Sequence, residues 1–150
     1  MRILIQRVKS ASVTIGGQLR SQIGAGLLVL LGVGASGWLL RRAAFHRPER
    51  PRPARPHGLM RRTRRMFARG LVLVVSQFTL LASTRKGNRP SYIKAAPEAV
   101  SRPMYGRFTA RVAELLGREV MTGEFGADMQ GALVNDGPVT IWVDSKMRDC

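Results

Sequence analysis

A chain of 150 residues with 45% hydrophobic side chains is the size of one domain and can bury a core of its own. The formal charge of +16 favours a nucleic-acid partner, while a single cysteine, Cys150 at the last position, excludes an intrachain disulfide and a cysteine-based metal site. The longest apolar stretch, Ile23 to Val33, carries Gly24, Gly26 and Gly32 and is too short to cross a bilayer, and Met1-Arg2-Ile3-Leu4-Ile5 is interrupted at once by Gln6 and Arg7, so a soluble cytoplasmic protein with no membrane partner is expected.

Arg2 to Thr14 reads as a strand, Ile15-Gly16-Gly17-Gln18 as a tight turn, and Leu19 to Ile23 as the returning partner. Leu27 to Val33 follows as a strand buried on both faces. Residues 35 to 70 break this pattern. They hold 11 arginines, no lysine and one acid, Glu49, which places +10 of the +16 in this stretch and leaves the rest of the chain only moderately basic. With Pro48, Pro51, Pro53 and Pro56 and no sustained period, the stretch cannot pack a core; it reads as a basic RNA-binding loop or a solvated insertion. Leu71 to Leu81 restores a buried strand, and Ser83 to Pro90 forms a loop. Met104, Phe108, Val112 and Leu115 or Leu116 share one face of a helix spanning Met104 to Leu116, with Gly117 as its stop. Glu119 to Thr122, Met129 to Asn135 and Val139 to Val143 complete the strands. The expected architecture is a single α+β domain, strand-rich, with β-sheets covered on one side by helices.

The polar residues with chemical potential cluster at strand ends. Ser76-Gln77-Phe78-Thr79 follows the apolar run Leu71 to Val75, and Asn135-Asp136-Gly137-Pro138-Val139 brackets a Gly-Pro turn. A serine nucleophile needs a base, commonly histidine. His46 and His57, the two histidines, both lie in the discordant stretch, so no Ser-His-Asp triad is expected. Taken alone, Ser76 and Thr79 read as strand-end residues satisfying backbone groups, and Arg7 as a surface strand cation. Asn135 reads as a residue that bonds nearby backbone, and Asp128 and Asp136 as turn caps. Phe125 and Met129 on their own read as core. The scattered carboxylates form no metal cage and the glycine pairs fit no phosphate loop, so no metal and no organic cofactor is expected.

Five motifs together carry more than any one of them. Met1 to Val8, Ile23 to Val33, Ser76 to Leu80, Phe125-Gly126-Ala127-Asp128-Met129 and Asn135 to Val139 resemble the D-aminoacyl-tRNA deacylase family in order and spacing, over residues 1 to 34 and about 71 to 146. The resemblance implies an enzyme that hydrolyses the ester of D-aminoacyl-tRNA, and of glycyl-tRNA mischarged on tRNA(Ala), as proofreading in translation. It implies that Ser76, Gln77, Phe78 and Thr79 surround the 3′-terminal aminoacyl-adenosine: Phe78 offers an aromatic face, Gln77 bonds sugar or base, and backbone N–H groups hold the developing oxyanion. The terminal 2′-hydroxyl of the RNA helps orient or activate water, and Thr79 is a supporting contact rather than the nucleophile. It further implies that Phe125, Ala127 and Met129 wall the pocket and that Arg7 braces the Gly-Pro loop, which Asn135 fixes. Gly137-Pro138 is then cis and enters the site of a homodimeric partner, where its carbonyls occupy the space of an L-side chain. The alternative from another class is a basic RNA-binding protein with this fold and no turnover.

The resemblance also bears on the arginine-rich stretch. Arg65-Met66-Phe67-Ala68-Arg69-Gly70 can be encoded so that a one-nucleotide shift reads Asp-Val-Arg-Ala-Gly, close to the Asp-Val-Gly-Gly-like sequence that the family carries before this strand. A pair of compensating frameshifts bracketing residues 35 to 70 is the reading that accounts best for arginine without lysine.

Overall fold

The computed structural model describes residues 1–35 and 70–147. The arginine-rich segment with its two histidines, and Cys150, lie outside the described residues. Strand β1 (Arg2–Ile15) turns through Gly16 and Gly17, both at positive φ, into β2 (Gln18–Ile23), as the glycine pair predicts. After Gly24-Ala25 the chain continues along the same edge of β1 as β3 (Gly26–Gly32). Strand β4 (Leu71–Ser76) pairs parallel with β3, and the two-residue β5 (Met121–Thr122) pairs parallel with β4. The opposite edge of β1 carries β6 (Gln130–Asp144), antiparallel along almost its whole length. The result is one six-stranded mixed sheet and, among the described residues, one long helix, α1 (Glu98–Leu116).

Burial on both faces explains the continuous apolar character of β3 and β4. On one face Leu27, Val29, Leu31, Val72 and Val74 pack with Tyr105, Phe108, Val112 and Leu116 of α1. On the other, Leu28, Leu73 and Val75 meet Val8, Ala11, Val13 and Ile23 in a second cluster. Of the two leucines that end the helix, Leu116 packs inward and Leu115 is exposed. Gly117 stops the helix in the left-handed conformation, as expected.

Apart from shifts of one or two residues at strand ends, three elements differ from those read in the sequence. The strand beginning at Leu71 ends at Ser76, and Phe78–Leu81 is a 3-10 turn rather than its continuation. Helix α1 starts at Glu98, after Pro97, and not at Met104; its first turns lack the apolar period that marks the remainder, so periodicity alone does not include them. The two segments flanking Gly137-Pro138 form a single strand with an extended bulge. Gln6 pairs with Thr140 and Val8 with Asn135, so Arg7 alone on β1 faces Asp136 to Val139 on β6.

Candidate active site

The end of β4 is shaped by a close approach. Gln77 N–H bonds Leu31 O at 2.8 Å as the last rung beside β3, after which the chain folds over, with Leu80 N–H on Gln77 O and Ala82 N–H on Thr79 O. A Cβ at Gly32 would lie 2.7 Å from Leu81 Cδ2 and 2.9 Å from Gln77 O, so only glycine lets the turn settle on β3. Arg2 ties the same turn from the side: its Nη1 donates to Leu80 O at 2.8 Å while its Nε donates to Asp144 Oδ2 at 2.9 Å. The opening N–H groups of such a turn, those of Phe78 and Thr79, have no acceptor within it.

A cavity of about 440 Å³ opens at this strand end. Ser76, Gln77 and Phe78 form one side, Phe125, Ala127 and Met129 another, with Leu28, Leu30 and Val75 beneath. Phe78 is 59% exposed and meets Tyr92 edge-on, with ring centroids 5.1 Å apart. The Gln77 side-chain amide donates to Thr79 Oγ1, which fixes the side chain of Gln77 beside the cavity it lines. Thus six of the residues expected at the site surround one space, and Thr79 reaches it through Gln77.

Arg7, Asn135, Gly137 and Pro138 form a second group that does not line that cavity. Arg7 is 1% exposed, not a surface cation. Its Nε lies 3.0 Å from Asp136 O and 3.2 Å from Asp136 Oδ2, so Asp136 is a buried ion-pair partner and not a simple turn cap. Asn135 Oδ1 accepts from Val139 N–H at 3.0 Å, closing the loop as its residue type suggests. The Gly137-Pro138 bond is cis, as the resemblance implies, and both residues are exposed.

Several lining residues escaped the sequence. Tyr105 stands against Phe125 at 5.8 Å between ring centroids and donates its hydroxyl to Val74 O at 2.7 Å. Burial pushes its pKa up to about 12, so it is a neutral, committed donor and not a base. Its place one residue after Met104 on the apolar face of α1 was the available signal. Gln6 also lines the cavity and reaches Thr140 Oγ1 at 3.5 Å; nothing local in the sequence marks it. Outside the wall, Arg102 lies over the Phe125 ring at 4.9 Å and pairs with Glu98 at 2.6 Å. Among the described residues no group of three His, Cys, Asp or Glu side chains gathers to hold a metal, and no helix is long and apolar enough to cross a membrane.

This combination defines an α+β protein with a strand-end site lined by amide, hydroxyl and aromatic side chains. Comparison with known proteins gives the particular family. The model of the D-Tyr-tRNA(Tyr) deacylase family matches residues 4–38 and 54–144. The D-aminoacyl-tRNA deacylase of Chromobacterium violaceum is 49% identical over 152 residues, covering 97% of this chain and 98% of its own. That of Bacteroides thetaiotaomicron is 47% identical over 155 residues, covering 99% and 100%. Among solved structures, the c-Myc DNA Unwinding Element Binding Protein superposes with a TM-score of 0.70 at 32% identity, covering 97% of this chain and 99% of that one. A probable eukaryotic D-amino acid tRNA deacylase shares the fold at a TM-score of 0.68 and 14% identity, covering 95% and 97%. The chain belongs to the D-Tyr-tRNA(Tyr) deacylase family. The family match is interrupted between residues 38 and 54, a shorter stretch than the 35 to 70 that the sequence sets apart.

Proposed function

We infer that this chain hydrolyses the ester of D-aminoacyl-tRNA, releasing free D-amino acid and tRNA. The observation that carries this reading is that Ser76, Gln77, Phe78, Phe125, Ala127 and Met129, drawn from two distant motifs of the family, surround a single cavity. The terminal adenosine lies against Phe78, with Gln77 bonding its sugar or base. The ester carbonyl points to the opening N–H groups of the 3-10 turn, which stabilise the oxyanion as water adds to the carbonyl carbon. The carbon–oxygen bond to the ribose then breaks and its oxygen takes a proton. The neighbouring 2′-hydroxyl orients the water, so no protein nucleophile is needed, and Thr79 acts by holding Gln77.

Chirality is judged by exclusion across a homodimer. Gly137 and Pro138 are exposed, stand away from their own cavity and are held from behind by Arg7 and Asn135. The outer edge of β6 has no strand partner among the described residues, and β6 exposes Val134, Trp142 and Val143. These features support a second copy packing there, with the Gly137-Pro138 carbonyls entering its cavity where an L-side chain would lie. Glycine, having no side chain, passes the same filter. The enzyme works in the cytoplasm, where its tRNA is.

An out-of-frame origin of residues 35 to 70 belongs to the same reading; the break in the family match covers residues 39–53 of this stretch and leaves 54–70 inside the match. Resequencing the gene with an intact frame through these codons would end it. The activity itself is tested by incubating the purified protein with labelled D-aminoacyl-tRNA. Release of free amino acid is expected; retention of tRNA in a gel without release would instead establish the RNA-binding alternative, which the family membership does not favour.

A further inference from the structure

The segment between the 3-10 turn and α1 is a closed hairpin. Ser83 and Ser91 exchange both backbone hydrogen bonds at 2.9 Å, Ala35 N–H bonds Lys94 O at 2.9 Å, and Ala96 N–H bonds Val33 O at 2.8 Å, so base and exit are pinned to the body. The hairpin stands on the rim of the cavity, since Tyr92 touches Phe78 and Ala96 lines the cavity itself. Arg85, Lys86, Arg89 and Lys94 project from it, all exposed, and no acidic residue occurs from Gln77 to Pro97. Another part of the lining differs in sign: the segment that supplies Phe125, Ala127 and Met129 also carries the exposed Glu124 and Asp128, and Arg102, which lies over Phe125, is paired with Glu98. Tyr92 and Ile93 are exposed by 40% and 86%, which leaves an aromatic and an aliphatic side chain in solvent beside the cations.

From this charge asymmetry we propose that the hairpin Ser83–Ser91, with Tyr92 and Lys94, is the docking surface for the single-stranded 3′ end of the tRNA. A strand whose terminal nucleotide fills the cavity must leave across its rim. The side bearing Glu124 and Asp128 repels phosphates, and the hairpin side attracts them. Arg85, Lys86 and Arg89 bind the phosphates preceding the terminal nucleotide, and the free side of the Tyr92 ring stacks a base, the pairing of cations with an aromatic platform that single-stranded nucleic acids use. The proposal rests on the deacylase reading and adds to it a division of labour: the cavity selects the aminoacyl-adenosine, and the hairpin supplies affinity for the polynucleotide.

Arg85→Gln, Lys86→Gln and Arg89→Gln combined in the full chain test it, with two substrates in parallel: D-tyrosyl-tRNA and the minimal ester D-tyrosyl-adenosine. At low salt the triple variant is expected to lose at least tenfold in kcat/KM on the tRNA, through KM, and to keep the parent rate on the minimal ester, which also reports that its fold is intact. The parent's preference for tRNA should fall steeply with added salt and the variant's should fall less. Equal kcat/KM on D-tyrosyl-tRNA for parent and variant would overturn the proposal. If the parent cleaves neither ester, the deacylase reading fails on its own, and the hairpin is then judged by binding of a fluorescent single-stranded RNA with the tRNA 3′-end sequence. Weaker binding by the triple variant upholds the surface, and unchanged binding overturns it.

Discussion

Arg7 and Asp136, far apart in sequence, form a buried pair: the guanidinium of Arg7 approaches both the carbonyl oxygen and the carboxylate of Asp136 immediately before the Gly137-Pro138 turn. The contact exists because β1 and β6 lose register at this point, which leaves Arg7 facing the bulged segment and not a paired residue. Side-chain exposures of 1% and 11% place the pair out of solvent, so removing one partner strands the other. Arg7→Met is expected to destabilise the fold by about 3 to 5 kcal/mol, measured by urea unfolding, because an uncompensated carboxylate stays buried. A loss under about 1 kcal/mol, the value typical of surface pairs, would show that the pair is solvated.

Gly137 has a φ of +130°, and a Cβ there would lie 2.7 Å from Arg7 Nη2 and 2.9 Å from Val139 Cγ2. Gly137→Ala therefore has to displace the turn, the Arg7 guanidinium or both, and is strained at this φ. If the turn is what excludes L-side chains, this variant should hydrolyse L-aminoacyl-tRNA appreciably, while its rate on the D-ester falls only a few-fold. The D to L rate ratio is the readout; an unchanged ratio in a folded variant would separate the turn from chiral selection.

Phe78 and Thr79 are adjacent but have different expected costs. Phe78→Ala removes a largely exposed ring, so stability should fall by no more than the roughly 1 kcal/mol of its edge-on contact with Tyr92, but a lost base stack of about 1 to 3 kcal/mol raises KM roughly tenfold. Thr79→Ala frees Gln77 and should lower kcat by no more than about tenfold. Loss of a covalent nucleophile lowers kcat by about 10⁴-fold or more, so steady-state kinetics of the two variants distinguish a supporting threonine from an attacking one.

Much of this was legible in the chain itself, and most of what was missed depends on contacts between residues far apart in sequence. Apolar runs announced β3 and β4, the Gly16-Gly17 pair announced the first hairpin, and the period in Phe108 and Val112 announced α1. The runs could not tell an extended Phe78–Leu81 from a 3-10 turn, because either buries Leu81; the decision rests on Gly32 of a neighbouring strand. Arg7, Asp136 and Gln6 acquire their roles from the β1–β6 register, a pairing between the two ends of the chain that no local window contains. Asn135 could be read because its bond to Val139 is local. Residues 36–69, where the sequence departs most from its surroundings, lie outside the described structure.

The Arg2–Asp144 pair makes the 3-10 turn sensitive to acid. Burial tends to raise the Asp144 carboxyl, but the Lys146 N–H, the Arg2 guanidinium and the N-terminal ammonium together hold it below its ordinary value of 3.8. A folded pKa below the unfolded one means that the contribution is complete above pH 3.8 and is lost as pH falls through the folded value. Asp144→Asn should therefore be less stable than the parent at neutral pH, with the difference closing under strongly acidic conditions. For Tyr105 the sign is opposite. With a folded pKa of about 12 against 10.0 unfolded, its contribution is complete below pH 10 and is lost towards pH 12, a limb that Tyr105→Phe should remove. Thermal unfolding across pH measures both.

Single-turnover deacylation of matched D- and L-tyrosyl-tRNA by the purified chain measures at once whether the ester is hydrolysed and whether its chirality is selected. Rapid loss of the D-ester with the L-ester left intact is the expected result. Persistence of both esters in the presence of folded protein, or equal loss of the two, would contradict it.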